Sequence, residues 1–492
     1  MTVGGIIVAR GRTSQGTPTD DHHGWRPTSA HTAATVTGVL LLAAAVLAGR
    51  ADIALIGIPS LLAATWATAT RPTTPQTATL HEPTGPTTPG ELTATLHLTT
   101  TPDTADVIHL RITAPGHRET HLALAAQARP RTGTGEEDGA PEAADADERR
   151  VPLRLSSVRT GPQETFDINM RGSRHGTWEE EPTEVDGARR LVLPGAVPLG
   201  RLPLPQRLRG LTGPHSSRRL GDGSELRDIH PFTPGDRLRR IDWRTTARRS
   251  PELDTLYVRR TYSSAEASAV LVVDSRDEVG PDLRTWRGYG TLRVDEPTSL
   301  DLARHAAASV AQALVEAGDR VGLEDLARRR RPLPPASGRR HLRRVVHGLA
   351  LAHPKDRATE HRVRPPQVPA DAVVYLFTTV LDDAPLHLVR TWRTKGHPVI
   401  VIDTLPDLHP VIEHHLWIAW RITRLEREDR LAALDREGVP VVRWAGSERD
   451  KAAVRFEALA RAAQRHVPGR VPGAASGTGS SSSPETPRTA AP

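Results

Sequence analysis

Two uncharged apolar runs near the N-terminus constrain the fold more than any other feature of the sequence. The first extends from Pro27 to Gly49 and the second from Ile53 to Thr70. At about 1.5 Å of rise per residue, each run is long enough to cross ~30 Å of hydrocarbon as a helix. The break between the runs is short. The pattern therefore predicts a hairpin of two transmembrane helices within residues 31–70, with both ends on one side of the bilayer.

Arginines around the two runs predict which side that is. The outer ends are flanked by Arg10, Arg12, Arg26 and Arg71, whereas Arg50 alone lies in the loop. By the positive-inside rule, the N-terminus and everything after Thr70 face the cytoplasm. We therefore expect a multi-pass cell-membrane protein with its bulk in the cytoplasm. The alternative is a signal peptide or single anchor with its apolar core at residues 33–48, but the long leader and the second run count against it.

Composition excludes several classes of enzyme. The 492 residues leave room for two or three domains, and cysteine is absent. Disulfides, thiolate zinc sites, iron–sulfur clusters and a cysteine nucleophile are therefore excluded. The residues that follow Lys355, Lys395 and Lys451 are not Ser or Thr, so a P-loop ATPase is excluded as well. We also find no nucleophile elbow and no H-E-x-x-H helix.

Alternating apolar and polar residues predict a β-rich domain over residues 75–200. Short strands are expected around residues 92–98, 108–112, 122–124, 153–155 and 166–170. Several such strands separated by turn-forming residues are typical of a small antiparallel sandwich. Residues 129–150 are rich in Gly, Glu, Asp and Ala and are interpreted as a solvated acidic insertion. Residues 1–30 and 471–492 are expected to be disordered tails.

Alternating strands and helices predict an α/β domain over residues 263–470. The continuous apolar run Ala269–Val273 is typical of a strand that is buried on both faces of a parallel sheet. Further strands are expected at 320–323, 373–377, 399–402 and 441–444, and helices at 300–316, 342–351, 386–393, 425–436 and 451–465. This order predicts a doubly wound sheet.

The segment between these two regions, residues 201–262, has the most distinctive chemistry. It contains 14 arginines and seven acids, a surplus of +7 that equals the formal net charge of the whole chain. Pro234 and Gly235 fit the two central positions of a type II turn. Acids and arginines that alternate so closely predict an ion-pair network, with Trp243 as its apolar anchor.

Three interpretations of this segment remain open. It is a structural clasp that joins two domains through buried Arg–Asp pairs, a surface that a protein partner recognises, or a catalytic metal site. The third interpretation describes a metal-dependent hydrolase that uses Asp228, Asp236 and Asp242. Neighbouring arginines would compete with the metal for these carboxylates, so we expect no enzyme here.

At these residues the chain resembles the domain of unknown function 58 family. The matching positions are Glu225, Phe232, Pro234, Gly235, Asp236, Arg239, Ile241, Trp243, Ala247 and Arg248. The chain departs from the family pattern at residues 229–231 and at Arg237, where a second acid is frequent. Together with Arg240 and Asp242, the residues that we expect to form the binding surface are Glu225, Pro234, Gly235, Asp236, Arg239, Trp243 and Arg248.

The resemblance also implies an architecture and a partner. Members of the family commonly carry a transmembrane hairpin, a β-rich segment, the signature and then a von Willebrand factor A-like domain, and this chain shows the same order. The genes of the family typically accompany MoxR-type AAA+ ATPases. The resemblance therefore implies a membrane-anchored, non-catalytic adaptor that interacts with such an ATPase.

In a von Willebrand A-like domain, Mg²⁺ binds at the carboxyl ends of the strands through D-x-S-x-S, a threonine and a further aspartate. Here Asp274 is present, but Arg276 and Glu278 replace the two serines. Arg339 stands at the threonine position, and the stretch Phe377-Thr378-Thr379 has threonine where the second aspartate would be. Because an arginine repels a cation, we expect a degenerate site without metal, in which Asp274 pairs with Arg276 or another arginine.

We expect no cofactor, no small-molecule substrate and no nucleic acid. The run 328–331 consists of arginines that could contact anionic lipid or nucleic acid, but it is also typical of a solvated loop. Aromatic residues make up only 3% of the chain, which disfavours stacking on single strands. A nucleic-acid binder would reveal itself by a steep salt dependence of binding.

Overall fold

The computed structural model describes residues 24–74, 76–83, 88–100, 105–126, 147–205, 208, 213–288, 290–327, 331–354 and 365–465. Most of the predicted N-terminal tail and acidic insertion lies outside the described residues. The predicted C-terminal tail and arginines 328–330 lie outside them as well.

The two apolar runs form the helices α1 (Ser29–Ala48) and α2 (Ala51–Ala69). The Thr28 side chain caps the start of α1, and Gly49, with a φ of 61°, ends it in a left-handed conformation. The sequence predicts an interruption at Pro59, but α2 continues through it. A proline removes only one backbone donor from the helix. In apolar surroundings the other backbone groups have no water to bond to, which favours keeping their hydrogen bonds within the helix. Both helices are long and apolar enough to cross a membrane.

Small residues form the contact between the two helices, whereas large apolar side chains face outward. Gly38 and Gly57 are buried, and a Cβ atom added to Gly38 would lie 2.7 Å from Cγ of Leu61. On the outer surfaces, Leu47 is 89% and Leu55 is 71% exposed. This arrangement is typical of helices that pack closely together in lipid.

The next region consists of antiparallel sheets that share one apolar core. One sheet has the order β2 (Thr77–His81), β3 (Glu91–Thr100), β6 (Asp147–Ser156). A second sheet has the order β1, β9, β8, β4, β5, with β10 paired to β8. Its strands are β1 (Trp25–Pro27), β4 (Val107–Thr113), β5 (Thr120–Ala125), β8 (Asp167–Arg174), β9 (Trp178–Glu180) and β10 (Thr183–Asp186). Two short strands, β7 (Gly161–Gln163) and β11 (Arg190–Val192), pair separately.

The alternation of apolar and polar residues along the strands explains which side chains form the core of this region. Leu96 of β3, Ile108 of β4 and Ile168 of β8 point into one buried cluster, and the residues between them along each strand point outward. The five strands predicted here all form. The sequence missed the short strands, because three or four residues are too few to show a period.

The chain then crosses to a long two-stranded ribbon formed by β12 (His215–Pro231) and β13 (Tyr257–Ala265). Between these strands lie a 3₁₀ turn (Leu238–Arg240) and the short helix α3 (Trp243–Arg249). Sequence alternation did not reveal β12, because glycines and charged residues obscure the alternation and because register shifts interrupt the pairing with β13.

The C-terminal region contains one six-stranded sheet with the order β16, β15, β14, β17, β18, β19. All neighbouring strands are parallel except β16, which is antiparallel to β15. The strands are β14 (Ser268–Val273), β15 (Arg320–Asp325), β16 (Leu333–Ala336), β17 (Val373–Thr378), β18 (Val399–Asp403) and β19 (Val441–Arg443). The continuous apolar run at residues 269–273 is therefore explained by burial of β14 on both faces.

Helices cover both faces of this sheet. The helices α4 (Ser299–Glu316), α5 (Arg339–Ala350) and α8 (Glu448–Arg465) contribute to one buried cluster. The helices α6 (Ala384–Thr394) and α7 (His414–Arg436) contribute to the cluster on the other face. The protein is thus a mixed α/β chain with two apolar N-terminal helices. The likeness to the von Willebrand A fold stays a prediction.

Candidate functional site

The turn at the end of β12 is held by Asp236. The Asp236 amide donates to the Thr233 carbonyl (3.0 Å), and Gly235 has a φ of 106°, as the predicted type II turn requires. The Asp236 carboxylate accepts hydrogen bonds from the amide (3.0 Å) and the hydroxyl (2.8 Å) of Thr233, and Arg260 lies 3.2 Å away. The Thr233 hydrogen bonds, supported by Arg260, lower the pKa of Asp236.

Asp242 has a structural role at the beginning of α3. Its carboxylate accepts a hydrogen bond from the Thr245 amide (3.0 Å), which makes Asp242 the N-cap residue. That hydrogen bond, together with Arg259 at 3.7 Å, lowers the pKa of Asp242. Thr246, the buried residue of α3, accepts a hydrogen bond from the Tyr257 amide (3.0 Å), which ties the helix to β13.

Three arginines converge on Asp222, a residue that sequence reasoning missed. Arg237 lies 2.7 Å and Arg239 lies 3.7 Å from the carboxylate, and Arg240 also pairs with it. The signal in the sequence was the single acid between Gly221 and Gly223 in an arginine-rich stretch. The three guanidiniums exceed the charge of Asp222 by two, so this end of the ribbon remains strongly basic.

The prediction that Trp243 is an apolar anchor is wrong. Its side chain is 62% exposed, and neighbouring Leu238 is 69% exposed. Trp243 is the first residue of a helix of about two turns, and the buried residue of that helix is Thr246 instead. Arg248 is also exposed, and among the residues that the structure describes it forms no ion pair. Glu225 accepts a hydrogen bond from the Ser216 hydroxyl (2.6 Å).

The ribbon therefore brings the predicted residues together on one element, but it leaves Trp243 and Arg239 exposed and Asp236 and Asp242 only half-buried. The interpretation as a clasp of buried Arg–Asp pairs does not fit, because Asp222 is 55% and Arg239 is 69% exposed. Buried pairs lie elsewhere. Arg159 contacts Asp301 (2.6 Å) and Glu278 (2.6 Å), and thereby joins the β-rich region to the C-terminal region.

The three acids of the hydrolase interpretation are engaged in other contacts. Asp236 caps a turn and Asp242 caps a helix, as described above. Asp228 lies on β12 opposite Arg260 and 3.8 Å from Arg227. Within the described ranges, no group of three or more histidines and acids is arranged to hold a metal ion.

The carboxyl edge of the large sheet is filled by an arginine. Both carboxylate oxygens of Asp274 accept hydrogen bonds from Arg276 (2.7 and 2.8 Å), and Arg276 also donates to Asp382 (2.8 and 3.1 Å). The Thr378 hydroxyl donates to Asp274 (2.9 Å). Burial opposes the charge of Arg276, but the two aspartates outweigh it and raise its pKa. The predicted pairing of Asp274 with Arg276 is confirmed.

Neighbouring strand ends repeat this pairing. Arg427 of α7 reaches Asp403 at the end of β18 (2.5 Å) and the Thr379 carbonyl (2.8 Å). Ser275 donates to Asp325 at the end of β15. Buried Val380 has a φ of 56°, a strained conformation for a β-branched residue that costs about 1–3 kcal/mol. The polar groups at this edge of the sheet are thus paired with other side chains of the same protein.

Comparison with known proteins gives one match. Residues 228–407 match the family model described as a protein of unknown function, DUF58. No curated protein and no solved structure matches the chain. The matched range begins near the end of β12 and ends after β18, so it contains the turn at Asp236, α3, β13 and the strand ends at Asp274, Thr378 and Asp403. The match therefore supports the resemblance of this chain to the domain of unknown function 58 family.

Proposed function

We propose that this chain is a membrane-anchored, non-catalytic interaction module whose ribbon binds a MoxR-type AAA+ ATPase. The observation that carries the proposal is the exposure of Trp243 (62%) in the same short helix as exposed Arg248, which forms no ion pair within the described part of the chain. A large aromatic side chain that serves neither a core nor a cap has little structural reason to be at this position. Tryptophan and arginine are the residues most often found at the centres of protein interfaces.

The ribbon indicates what the partner surface is like. Residues 201–262 carry a surplus of +7, so the partner presents acidic side chains around an apolar recess that receives Trp243. Long-range attraction between the two surfaces accelerates their encounter and weakens with salt. The acids of the ribbon shape the turn and the helix that present Trp243, which supports an interaction role over a catalytic one.

The two apolar helices would hold the module at the membrane. In this proposal they cross the bilayer as a pair, and the positive-inside rule puts the ribbon in the cytoplasm. A cytoplasmic ribbon is accessible to an AAA+ ATPase. The C-terminal sheet, in this proposal a von Willebrand A-like domain with a degenerate metal site, supports the ribbon and needs no cation.

Binding of the purified ATPase to the full chain in detergent tests the proposal. We expect Trp243→Ala to weaken binding by about 30-fold, the loss typical of an interface hot spot of ~2 kcal/mol. Val454→Ala, which truncates a 68% exposed side chain on α8, is the matched control and should bind normally. Failure of the wild-type chain to bind the ATPase, or equal binding by Trp243→Ala, would contradict the proposal.

A further inference from the structure

The ribbon gathers three guanidiniums around one carboxylate, that of Asp222. The guanidiniums belong to Arg237, Arg239 and Arg240, which we call the arginine cluster. Guanidiniums that share one carboxylate repel one another, and a single negative charge compensates only one of them. One arginine would suffice to hold Asp222 in place. The convergence of three arginines is therefore more than the local structure requires.

Neighbouring acids do not supply the missing negative charge. Asp236 pairs with Arg260 at 3.2 Å, and Asp242 lies 3.7 Å from Arg259. Within the described part of the chain, the arginine cluster forms no ion pair with any acid other than Asp222. The cluster thus keeps two positive charges that a further anion could compensate.

The backbone of β12 brings Asp222 to the arginine cluster. Asp222 lies between Gly221 and Gly223, and a Cβ atom on either glycine would clash with β13. The Gly221 carbonyl also accepts hydrogen bonds from Arg240 (2.7 Å) and from the Thr261 hydroxyl (2.6 Å). Close packing of the two glycines therefore fixes the position of Asp222. The Gly221 carbonyl holds Arg240 independently of the Asp222 carboxylate.

The contact between Asp222 and the arginine cluster is open to solvent. Asp222, Arg237 and Arg239 are exposed, and Arg240 is half-buried. An exposed ion pair contributes little free energy, because water competes for both charges. An anion that arrives from solution can therefore replace the Asp222 carboxylate at little cost.

We propose that the arginine cluster forms a binding site for a phosphoryl group and that Asp222 occupies this site until such a group displaces it. A phosphate monoester carries about two negative charges near neutral pH and offers three acceptor oxygens, whereas a carboxylate carries one charge on two oxygens. The planar guanidinium also matches phosphate oxygens through two parallel hydrogen bonds. A phosphoryl group therefore compensates the cluster better than Asp222 does.

Other ligands fit the arginine cluster less well. A carboxylate from another molecule brings only the charge that Asp222 already supplies. Each phosphate of a nucleic acid likewise carries a single charge. A metal cation is repelled by the guanidiniums. The phosphoryl group belongs to a soluble compound or to a lipid head group, and the two apolar helices of the chain are long enough to bring it to a membrane.

Calorimetric titration of the full chain in detergent with pyrophosphate tests the site. We expect the wild type to bind, and Asp222→Asn to bind about tenfold more tightly, because this variant removes the carboxylate that competes for three ion pairs. Asp295→Asn, which removes the acid of an exposed pair with Arg293, is the control and should bind like the wild type. Equal affinities of Asp222→Asn and the wild type, or no binding by either, would overturn the proposal.

Removal of one guanidinium distinguishes a site from the diffuse charge of the ribbon. Arg237→Gln alters an exposed side chain whose ion pair is with Asp222, so the fold should not depend on it. We expect this variant to bind pyrophosphate more than about tenfold less tightly. Arg244→Gln makes the same change of charge at an exposed position of α3 and should weaken binding less than about twofold. Equal weakening by both variants would contradict a site.

Nanodiscs distinguish the two sources of the phosphoryl group. A lipid ligand will weaken pyrophosphate binding more in nanodiscs with phosphatidic acid, a phosphate monoester, than in nanodiscs of matched surface charge with phosphatidylglycerol, a diester. Equal binding in the two kinds of nanodisc assigns the site to a soluble phosphate compound. Phosphoryl binding does not depend on the proposed ATPase partner, so Trp243→Ala should bind pyrophosphate like the wild type.

Discussion

At the scale of single residues, arginine has two distinct uses in this protein. Buried arginines neutralise acids at the junctions of the fold, as Arg159 and Arg304 do around Asp301 and as Arg276 does between Asp274 and Asp382. Exposed arginines gather on the ribbon and give the chain its net charge. The sequence shows the same residue type in both places, and only burial separates the two uses.

We expect Asp301→Asn to destabilise the protein by about 3–5 kcal/mol, because it removes the ion-pair partner of buried Arg304 and leaves Arg159 with Glu278 alone. Asp301 is fully buried and also accepts hydrogen bonds from the amide and the hydroxyl of Thr160, both at 2.7 Å. Urea denaturation of the full chain in detergent measures the change. Asp295→Asn breaks an exposed pair with Arg293 and should have almost no effect.

The pKa of Asp301 predicts how the stability of the protein depends on pH. Burial by itself raises the pKa of Asp301, but Arg159, Arg304 and Thr160 outweigh it, so the pKa lies below its ordinary value. A lowered pKa in the folded state contributes stability above the ordinary value of about 3.9, and this contribution is lost as pH falls through the folded-state pKa. The difference between the wild type and Asp301→Asn should therefore be largest near neutral pH and shrink below about pH 4. A constant difference would contradict this explanation.

We predict that the protein gains a metal site when Arg276 is replaced. Arg276→Ser would free the carboxylates of Asp274 and Asp382 from the guanidinium, beside the Thr378 hydroxyl. The oxygens of these three groups are ligands of the type that Mg²⁺ prefers. We expect Mg²⁺ to raise the melting temperature of this variant and not that of the wild type, as measured against EDTA. The control is Arg293→Ser, which removes an exposed arginine that also pairs with two acids, Asp295 and Glu296. Stabilisation of the wild type by Mg²⁺ would show that the guanidinium does not block the site.

At the scale of elements, the periodicity of apolar residues predicted helices and strands best where one face of the element is buried. The helices of the C-terminal sheet begin and end within a few residues of the predicted bounds, except α7, which begins at His414 instead of Leu425. The additional turns were missed because their apolar side chains lie on two sides of the helix, so they do not form the single apolar stripe by which a helix is predicted. The exposed stripe on α7, formed by Ile418, Ile422 and Leu425, and the exposed Trp243 are both departures from the ordinary amphipathic pattern.

The helix pair α1–α2 allows a prediction about packing. Gly38→Ile should force the helices apart, because a Cβ atom at this position would already lie 2.7 Å from Leu61. We expect this variant to have a lower melting temperature in detergent than the wild type. Size-exclusion chromatography of samples heated to increasing temperatures measures it. Ala44→Ile adds the same side chain on the exposed side of α1 and serves as the control. Equal melting temperatures of the two variants would contradict the close contact.

At the scale of the whole molecule, the chain connects three chemically different surfaces. The N-terminal helices are apolar on the outside, the ribbon is basic, and α7 combines an apolar stripe with both charges. Buried Trp178 links the first of these to the β-rich region, because its indole nitrogen donates to the Ala67 carbonyl (2.8 Å) at the end of α2. The orientation of the helices therefore determines on which side of a membrane the ribbon lies.

Cysteine accessibility tests this orientation. If the helices cross the bilayer as a pair, a membrane-impermeant maleimide will label Ala51→Cys, at the beginning of α2 beside the hairpin loop, in intact cells. It will label Ala432→Cys, at an exposed position of α7, only after the cells are permeabilised. Labelling of Ala432→Cys in intact cells would place the bulk of the chain outside and exclude a cytoplasmic ATPase as its partner.

The sequence by itself determined the apolar helices, the alternating strands of the β-rich core, the parallel sheet and an arginine partner for Asp274. Each of these depends on periodicity or on residue type, which a sequence displays directly. Only the tertiary structure decided which ion pairs are buried, that Asp301 and not the signature segment holds two regions together, and that Trp243 and the stripe on α7 are exposed. Burial depends on which elements pack together over long separations in the chain, and no local pattern contains that information.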